Sequence, residues 1–164
     1  TGVLEYLGAI YPASIGEICL IRRDGVEATR VVFGEAVPYS MLSDDESAAV
    51  FFGPTFAMQP GQVYLAPPYL SPDTGEWVVS ASSPIPGEDG EAPAIVHFEM
   101  GLNGLRDRLV ESDHVTLVVD RRTGASLIDS RHPVDPEAEL STDAIDDGPI
   151  VLDAEPLPSG VGRR

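Results

Sequence analysis

Two runs rich in apolar and β-branched residues, 17–22 and 26–33, are separated only by Arg23-Asp24-Gly25. An Asp-Gly pair readily takes the positive φ angles of a tight turn, so this stretch predicts a β-hairpin. Three further β-rich runs follow at 62–66, 76–83 and 94–100, divided by Pro/Asp/Gly clusters at 67–75 and 84–91 that read as turns. With the hairpin they predict a five-stranded antiparallel sheet.

Helices are predicted at three places. Residues 3–10 read as the last turns of a helix whose beginning lies outside the sequence. Ser43-Asp44-Asp45-Glu46 has the form of a capping box, with a short helix over 48–52 that Pro54 ends. Leu102, Leu105, Arg106 and Leu109 fall at helical spacing and predict an amphipathic helix leaving the last strand. A second hairpin is predicted from strands at 115–119 and 125–128 around Asp120-Arg121-Arg122-Thr123-Gly124. From Val134 onward Pro, Asp, Glu and Gly dominate, and only Ile150-Val151-Leu152 looks able to form a strand. The expected organisation is therefore a main domain over 1–112, a hairpin over 113–133 that could open a degenerate second module, and an acidic, mostly irregular tail over 134–164.

Charge narrows the partners. Against 27 acidic residues stand ten basic ones, all arginine, for a net charge of -17. Such a surface repels phosphate backbones, which argues against nucleic acid and anionic membrane surfaces. The lone Cys19, in the apolar run Ile18-Cys19-Leu20-Ile21, reads as a buried small hydrophobe, and a single cysteine allows no internal disulfide. No run approaches the roughly 20 apolar residues of a transmembrane helix.

A family resemblance rests on Val63-Tyr64-Leu65-Ala66-Pro67-Pro68-Tyr69, on Ser71-Pro72-Asp73-Thr74-Gly75-Glu76-Trp77-Val78-Val79-Ser80, on the turn from Pro84 to Gly90, and on Ala94-Ile95-Val96-His97-Phe98-Glu99-Met100 leading into Leu102 and Leu105. In order and spacing these resemble the PAS-like extracellular sensor fold called Cache. The resemblance covers residues 16–110 and implies an α+β fold, a PAS-like five-stranded antiparallel sheet flanked by helices, here with an additional C-terminal hairpin. It further implies an extracytoplasmic small-molecule-sensing domain of a membrane-anchored bacterial receptor, with diguanylate cyclases, histidine kinases or chemotaxis modules as the outputs of such proteins. The N-terminal helix is then a route to a homodimer. Amino-acid-binding members carry an Arg-x-Trp-Tyr element on the short helix, whose guanidinium grips a carboxylate. The corresponding stretch here, Phe51 to Phe56, has no Arg. The acidic residue that meets the ligand amine in those relatives corresponds to Glu99, which keeps a cationic or hydroxylated ligand open.

Strand alternation puts Ile95, His97 and Glu99 on one face of their strand, with Ala94, Val96, Phe98 and Met100 on the other as core. His97 and Glu99 are then neighbours that could grip a polar ligand, or a hydrogen-bonded structural pair. Tyr64, Tyr69 and Trp77 offer rigid rings with polar handles for a pocket wall. Ser80, Ser82 and Ser83 offer hydroxyls, and Phe51, Phe52 and Phe56 would cap the pocket if the family topology holds. No nucleophile elbow, phosphate-cradling loop or zinc helix occurs, and His97, Glu99, His114 and Asp120 match no standard metal-ligand spacing. No catalytic residue, cofactor or metal is therefore assigned. Two other readings stay open: a dimerisation or protein-interaction module of the same receptor class, and a small hydrolase using His97 with Glu99.

Overall fold

The computed structural model describes residues 2–10, 15–87, 90–110, 114–120 and 124–137. Helix α1 spans Gly2–Ile10 and is followed by strands β1 (Glu17–Arg22), β2 (Glu27–Val32) and β3 (Glu35–Ala36). A single 3-10 turn, Tyr39–Met41, leads into a loop and then helix α2 (Phe52–Phe56). Strands β4 (Tyr64–Leu65), β5 (Tyr69–Leu70), β6 (Trp77–Ile85) and β7 (Ala94–Gly101) complete the main sheet. Helix α3 (Leu102–Val110) and a separate hairpin of β8 (Leu117–Val119) and β9 (Ser126–Asp129) follow.

The main sheet is antiparallel, in the order β3-β2-β1-β7-β6-β4, with β5 also on β6. The five expected strands are present, and the two-residue strands β3 and β5 extend the set to seven. The Arg23-Asp24-Gly25 turn forms as expected: Gly25 takes φ +89°, a conformation open to a residue without Cβ.

Each face of the sheet is covered differently. On the outer face Ile18 and Val31 pack with Leu4 of α1, joined by the half-buried Leu7, Val96 and Phe98. On the inner face Cys19, Ile21 and Ile95 pack under Phe51. The expected core face of β7, carrying Val96 and Phe98, is only half-buried, whereas Ile95, His97 and Glu99 are the deeply buried set. Both faces are interior, and the polar one is the deeper because the segment between β3 and β4 lies over it.

That segment departs from the expected helix over 48–52. Its helix begins at Phe52 and contains Pro54, which sits in the first turn, where a missing N–H removes no helical hydrogen bond. Ser43 and Glu46 form no capping box either. The Ser43 carbonyl accepts from the Glu27 N–H at 3.0 Å, the Ser43 N–H donates to Glu27 Oε2 at 2.8 Å, and the Glu46 N–H donates to the Gly25 carbonyl at 2.8 Å. These bonds tether the segment to the β1–β2 turn as a lid. The acidic run that looked like a helix start is a tether.

The register of β2 shifts between Leu20 and Ile21: Leu20 faces Thr29 while Ile21 faces Glu27, leaving Ala28 as the extra residue of a β-bulge. Side chains three apart on a regular strand point to opposite faces. The bulge brings Glu27 and Arg30 to the same inner face, both buried.

Residue 134 onward was expected to be irregular. Residues 134–137 carry no helix or strand, and the Val134 N–H and carbonyl both bond the Asn103 amide of α3. The strand considered at 150–152 lies outside the described residues.

Candidate functional site

Between the inner face of the sheet and the lid lies a cavity of about 270 Å³. Glu17, Cys19 and Ile21 line it from β1, Glu27 and Arg30 from β2, and His97 and Glu99 from β7. Phe51 covers it from the lid, while Tyr69 and Asp73 close it from the β5 side. The period of two in β1 and β7, combined with the bulge in β2, is what turns these polar side chains to one side.

His97 is the hub. It is 1 % exposed, and Phe51 stacks on it with ring centroids 3.7 Å apart. Its Nδ1 meets Ser82 Oγ at 2.7 Å, and its Nε2 meets the Tyr69 hydroxyl at 3.2 Å. Tyr69 donates its single proton to Glu99 Oε1 at 2.6 Å. The Tyr69 oxygen is then left to accept from His97 Nε2–H, while His97 Nδ1 shares a hydrogen bond with the Ser82 hydroxyl. The result is an ordered chain, Ser82 to His97 to Tyr69 to Glu99, that ends on a carboxylate facing the cavity.

The electrostatics of this network follow from burial. Burial opposes ionisation of Glu99, but hydrogen bonds from His97, Ser71 and Tyr69 outweigh it and hold its pKa below the usual carboxylate value. Tyr69 is held neutral, first by burial and then by the adjacent Glu99 charge. Glu17 lies directly opposite Glu99 across the β1–β7 pairing. Burial, and next the Glu99 charge, push its pKa up to about 9. The two facing carboxylates therefore differ in charge at neutral pH, Glu99 ionised and Glu17 protonated.

Arg30 anchors the opposite wall. Its guanidinium pairs with Asp73, lies 3.6 Å from Glu27 Oε1, and donates to the Met41 carbonyl at 2.7 Å. Asp73 is presented by a turn in which Ser71 Oγ accepts the N–H groups of Asp73 and Thr74. Five carboxylates, Glu17, Glu27, Glu46, Asp73 and Glu99, thus line a cavity whose cationic side chain is Arg30.

Of the expected site residues, the cavity brings together Tyr69, His97 and Glu99, with Ser82 directly behind His97. Ser80 is buried on the same face of β6 but stands outside the cavity lining. Tyr64 packs half-buried against the inner core rather than the cavity. Trp77 is placed differently from expectation: in β6 the buried residues are Val78, Ser80, Ser82 and Pro84, so Trp77 belongs to the opposite face. Of the three expected caps, Phe51 lines the cavity and Phe52 and Phe56 do not. They form an edge-to-face pair 4.8 Å apart on α2, and Arg23 sits over the Phe56 ring, while the aromatic cap of the cavity is Phe51. Sequence reasoning passed over Glu17, Glu27 and Arg30. Glu17 was within reach, because it alternates in phase with Cys19 and Ile21.

Among the described residues, no helix is long and apolar enough to cross a membrane. No family model matches the chain, and no curated protein matches it. Solved structures do. The ligand-binding domain of the Campylobacter jejuni chemoreceptor Tlp3, in complex with L-norvaline, superposes with a TM-score of 0.64 at 14 % identity, covering 79 % of this chain and 48 % of that one. The extracellular domain of vpHK1S-Z8, a protein assigned as a histidine kinase, gives 0.63 at 19 % identity, over 89 % of this chain and 54 % of that one. A domain of a protein assigned to the sensory box/GGDEF family from Vibrio parahaemolyticus gives 0.61 at 19 % identity, over 77 % and 53 %. The chain spans about half the length of each. Its fold is that of the Cache-like sensor domains, α+β with a largely antiparallel sheet.

Proposed function

We propose that this chain is an extracytoplasmic small-molecule-sensing domain of a bacterial signal-transduction receptor, and that it is not an enzyme. The observation that carries the reading is the lidded cavity whose wall is the Tyr69–His97–Glu99 network. A largely pre-formed cavity with a few convergent polar groups is the usual form of a small-molecule site. The shared fold supports the same reading, since the matched structures include the ligand-binding domain of a chemoreceptor and the extracellular domain of a protein assigned as a histidine kinase. A ligand seated there touches β1 on its inner face, and β1 packs through Ile18 on α1. Occupancy is thereby coupled to the helix that leads toward the membrane in a receptor of this design.

A second reading, dimerisation through the N-terminal helix, is favoured by Val3 and Tyr6, which are 73 % and 66 % exposed on α1. The two are separable. In a thermal-shift screen against amines, amino acids, carboxylates, purines and sugars, a ligand at about a hundred times its Kd adds roughly 2.7 kcal/mol of stability. The expected result is a hit lost in Glu99→Gln and Tyr69→Ala. Silence across the panel, with concentration-dependent dimerisation by light scattering, would establish the interaction module instead.

A further inference from the structure

Glu17 and Cys19 stand two residues apart on the cavity face of β1, and Glu27 reaches the same spot from β2 because the bulge at Ala28 turns it inward. One ligand atom from each lies within 4.8 Å of the others, and all three residues are buried. Glu27 is already aimed: Oε2 accepts the Ser43 N–H at 2.8 Å, and Oε1 lies 3.6 Å from Arg30 Nε. Fixing of a carboxylate by groups behind it is how protein metal ligands are commonly oriented.

Glu17 supplies the independent sign of a missing partner. It is 4 % exposed, it faces the cavity, and its Oε2 has no hydrogen-bond partner. A buried polar atom left in that condition costs free energy that a cation at the site would return. Charge points the same way: a thiolate and two carboxylates meet here, and the neighbouring Arg30 guanidinium is shared between Glu27 and Asp73, so a divalent ion would neutralise charge that Arg30 leaves unpaired. Donor type selects the ion: calcium and magnesium take all-oxygen shells, whereas a thiolate beside carboxylates suits a borderline-soft cation.

We propose that Glu17, Cys19 and Glu27 bind one borderline-soft divalent cation of the zinc class, with the remaining coordination position open to the cavity. On binding, the thiol proton of Cys19 and the carboxyl proton of Glu17 leave to solvent and no bond other than these two is broken. The site shares the cavity of the small-molecule reading but not the residues that its test varies, because neither Glu99 nor Tyr69 is one of its ligands.

The test uses cobalt(II) as a spectroscopic stand-in for zinc, added to chelator-treated protein. Because Cys19 is the only cysteine in the chain, a near-ultraviolet thiolate-to-cobalt charge-transfer band reports this residue alone. The band is expected to saturate at one ion per chain and to be displaced by zinc. Glu17→Gln and Glu27→Gln, each with an unchanged circular dichroism spectrum, are expected to weaken cobalt affinity by about tenfold or more. A folded wild-type protein that develops no band overturns the proposal, as does a band whose titration both glutamine variants leave unaltered. Either failure leaves the thermal-shift result with organic ligands untouched, so the two readings fall separately.

Discussion

Phe51 lies flat on His97, ring centroids 3.7 Å apart and planes inclined by 22°, so a stacked pair joins the lid to the central strand of the sheet. Phe51 is 6 % exposed and also packs with Cys19, Ile21 and Ile95. Phe51→Ala is expected to destabilise the domain by about 3–5 kcal/mol, the range for emptying a buried aromatic site. It should also speed hydrogen exchange of the 43–51 amides more than those of β8 and β9, since the lid loses its packing contact while the second hairpin does not. Urea denaturation and amide exchange check the two halves; uniform acceleration would mean that the stack has no special part in lid closure.

The mismatch between Glu17 and Glu99 gives a pH signature. Folding raises the Glu17 pKa from 4.5 to about 9, so between those values the folded chain holds a proton that the unfolded chain has lost. The stability tied to that proton is complete below pH 4.5 and is lost as pH rises through about 9. Glu99, whose pKa is lowered, works in the other direction, and its contribution is lost only as pH falls below the ordinary carboxylate range. The melting temperature of the metal-free wild type is expected to decline from pH 5 to pH 9, by an amount equivalent to roughly a few kcal/mol. Glu17→Gln should flatten that slope and raise the melting temperature at neutral pH. Parallel wild-type and variant curves would show that Glu17 ionises freely in the folded protein.

Gly25 joins the hairpin turn to the lid. At φ +89° a side chain is strained, and a Cβ there would collide with Asp45 Oδ1. Its carbonyl accepts the Glu46 N–H, one of the lid's tethers. Gly25→Ala is expected to cost about 1–3 kcal/mol, as for other non-glycine residues forced into sparsely populated backbone regions. Chemical denaturation measures it. A loss near zero would mean that the turn can rearrange without disturbing the lid.

Much of the sheet was legible. The β1–β2 hairpin, β6 and β7 follow from a period of two bounded by turn residues, and α3 from the spacing of Leu102, Leu105 and Leu109. The lid was not, because Ser43-Asp44-Asp45-Glu46 offers the same hydrogen-bonding groups to a strand turn as to a helix start, and only the fold decides which takes them. The site was half legible. His97, Glu99 and Tyr69 stood out by alternation and residue type. Glu27 and Arg30 did not, since a bulge is a property of the paired strands and leaves no mark in a residue pattern three positions long. Trp77 was misplaced because its ring invited a pocket role that the β6 alternation denies it.

Strand β1 is one residue thick, with Glu17, Cys19 and Ile21 turned to the cavity and Ile18 turned to Leu4 of α1. A backbone that carries both sets cannot shift for one without shifting for the other. Close packing leaves little slack to absorb such a shift. The cavity face and the helix are therefore separated by a single peptide layer, and a displacement of one reaches the other without passing through loops.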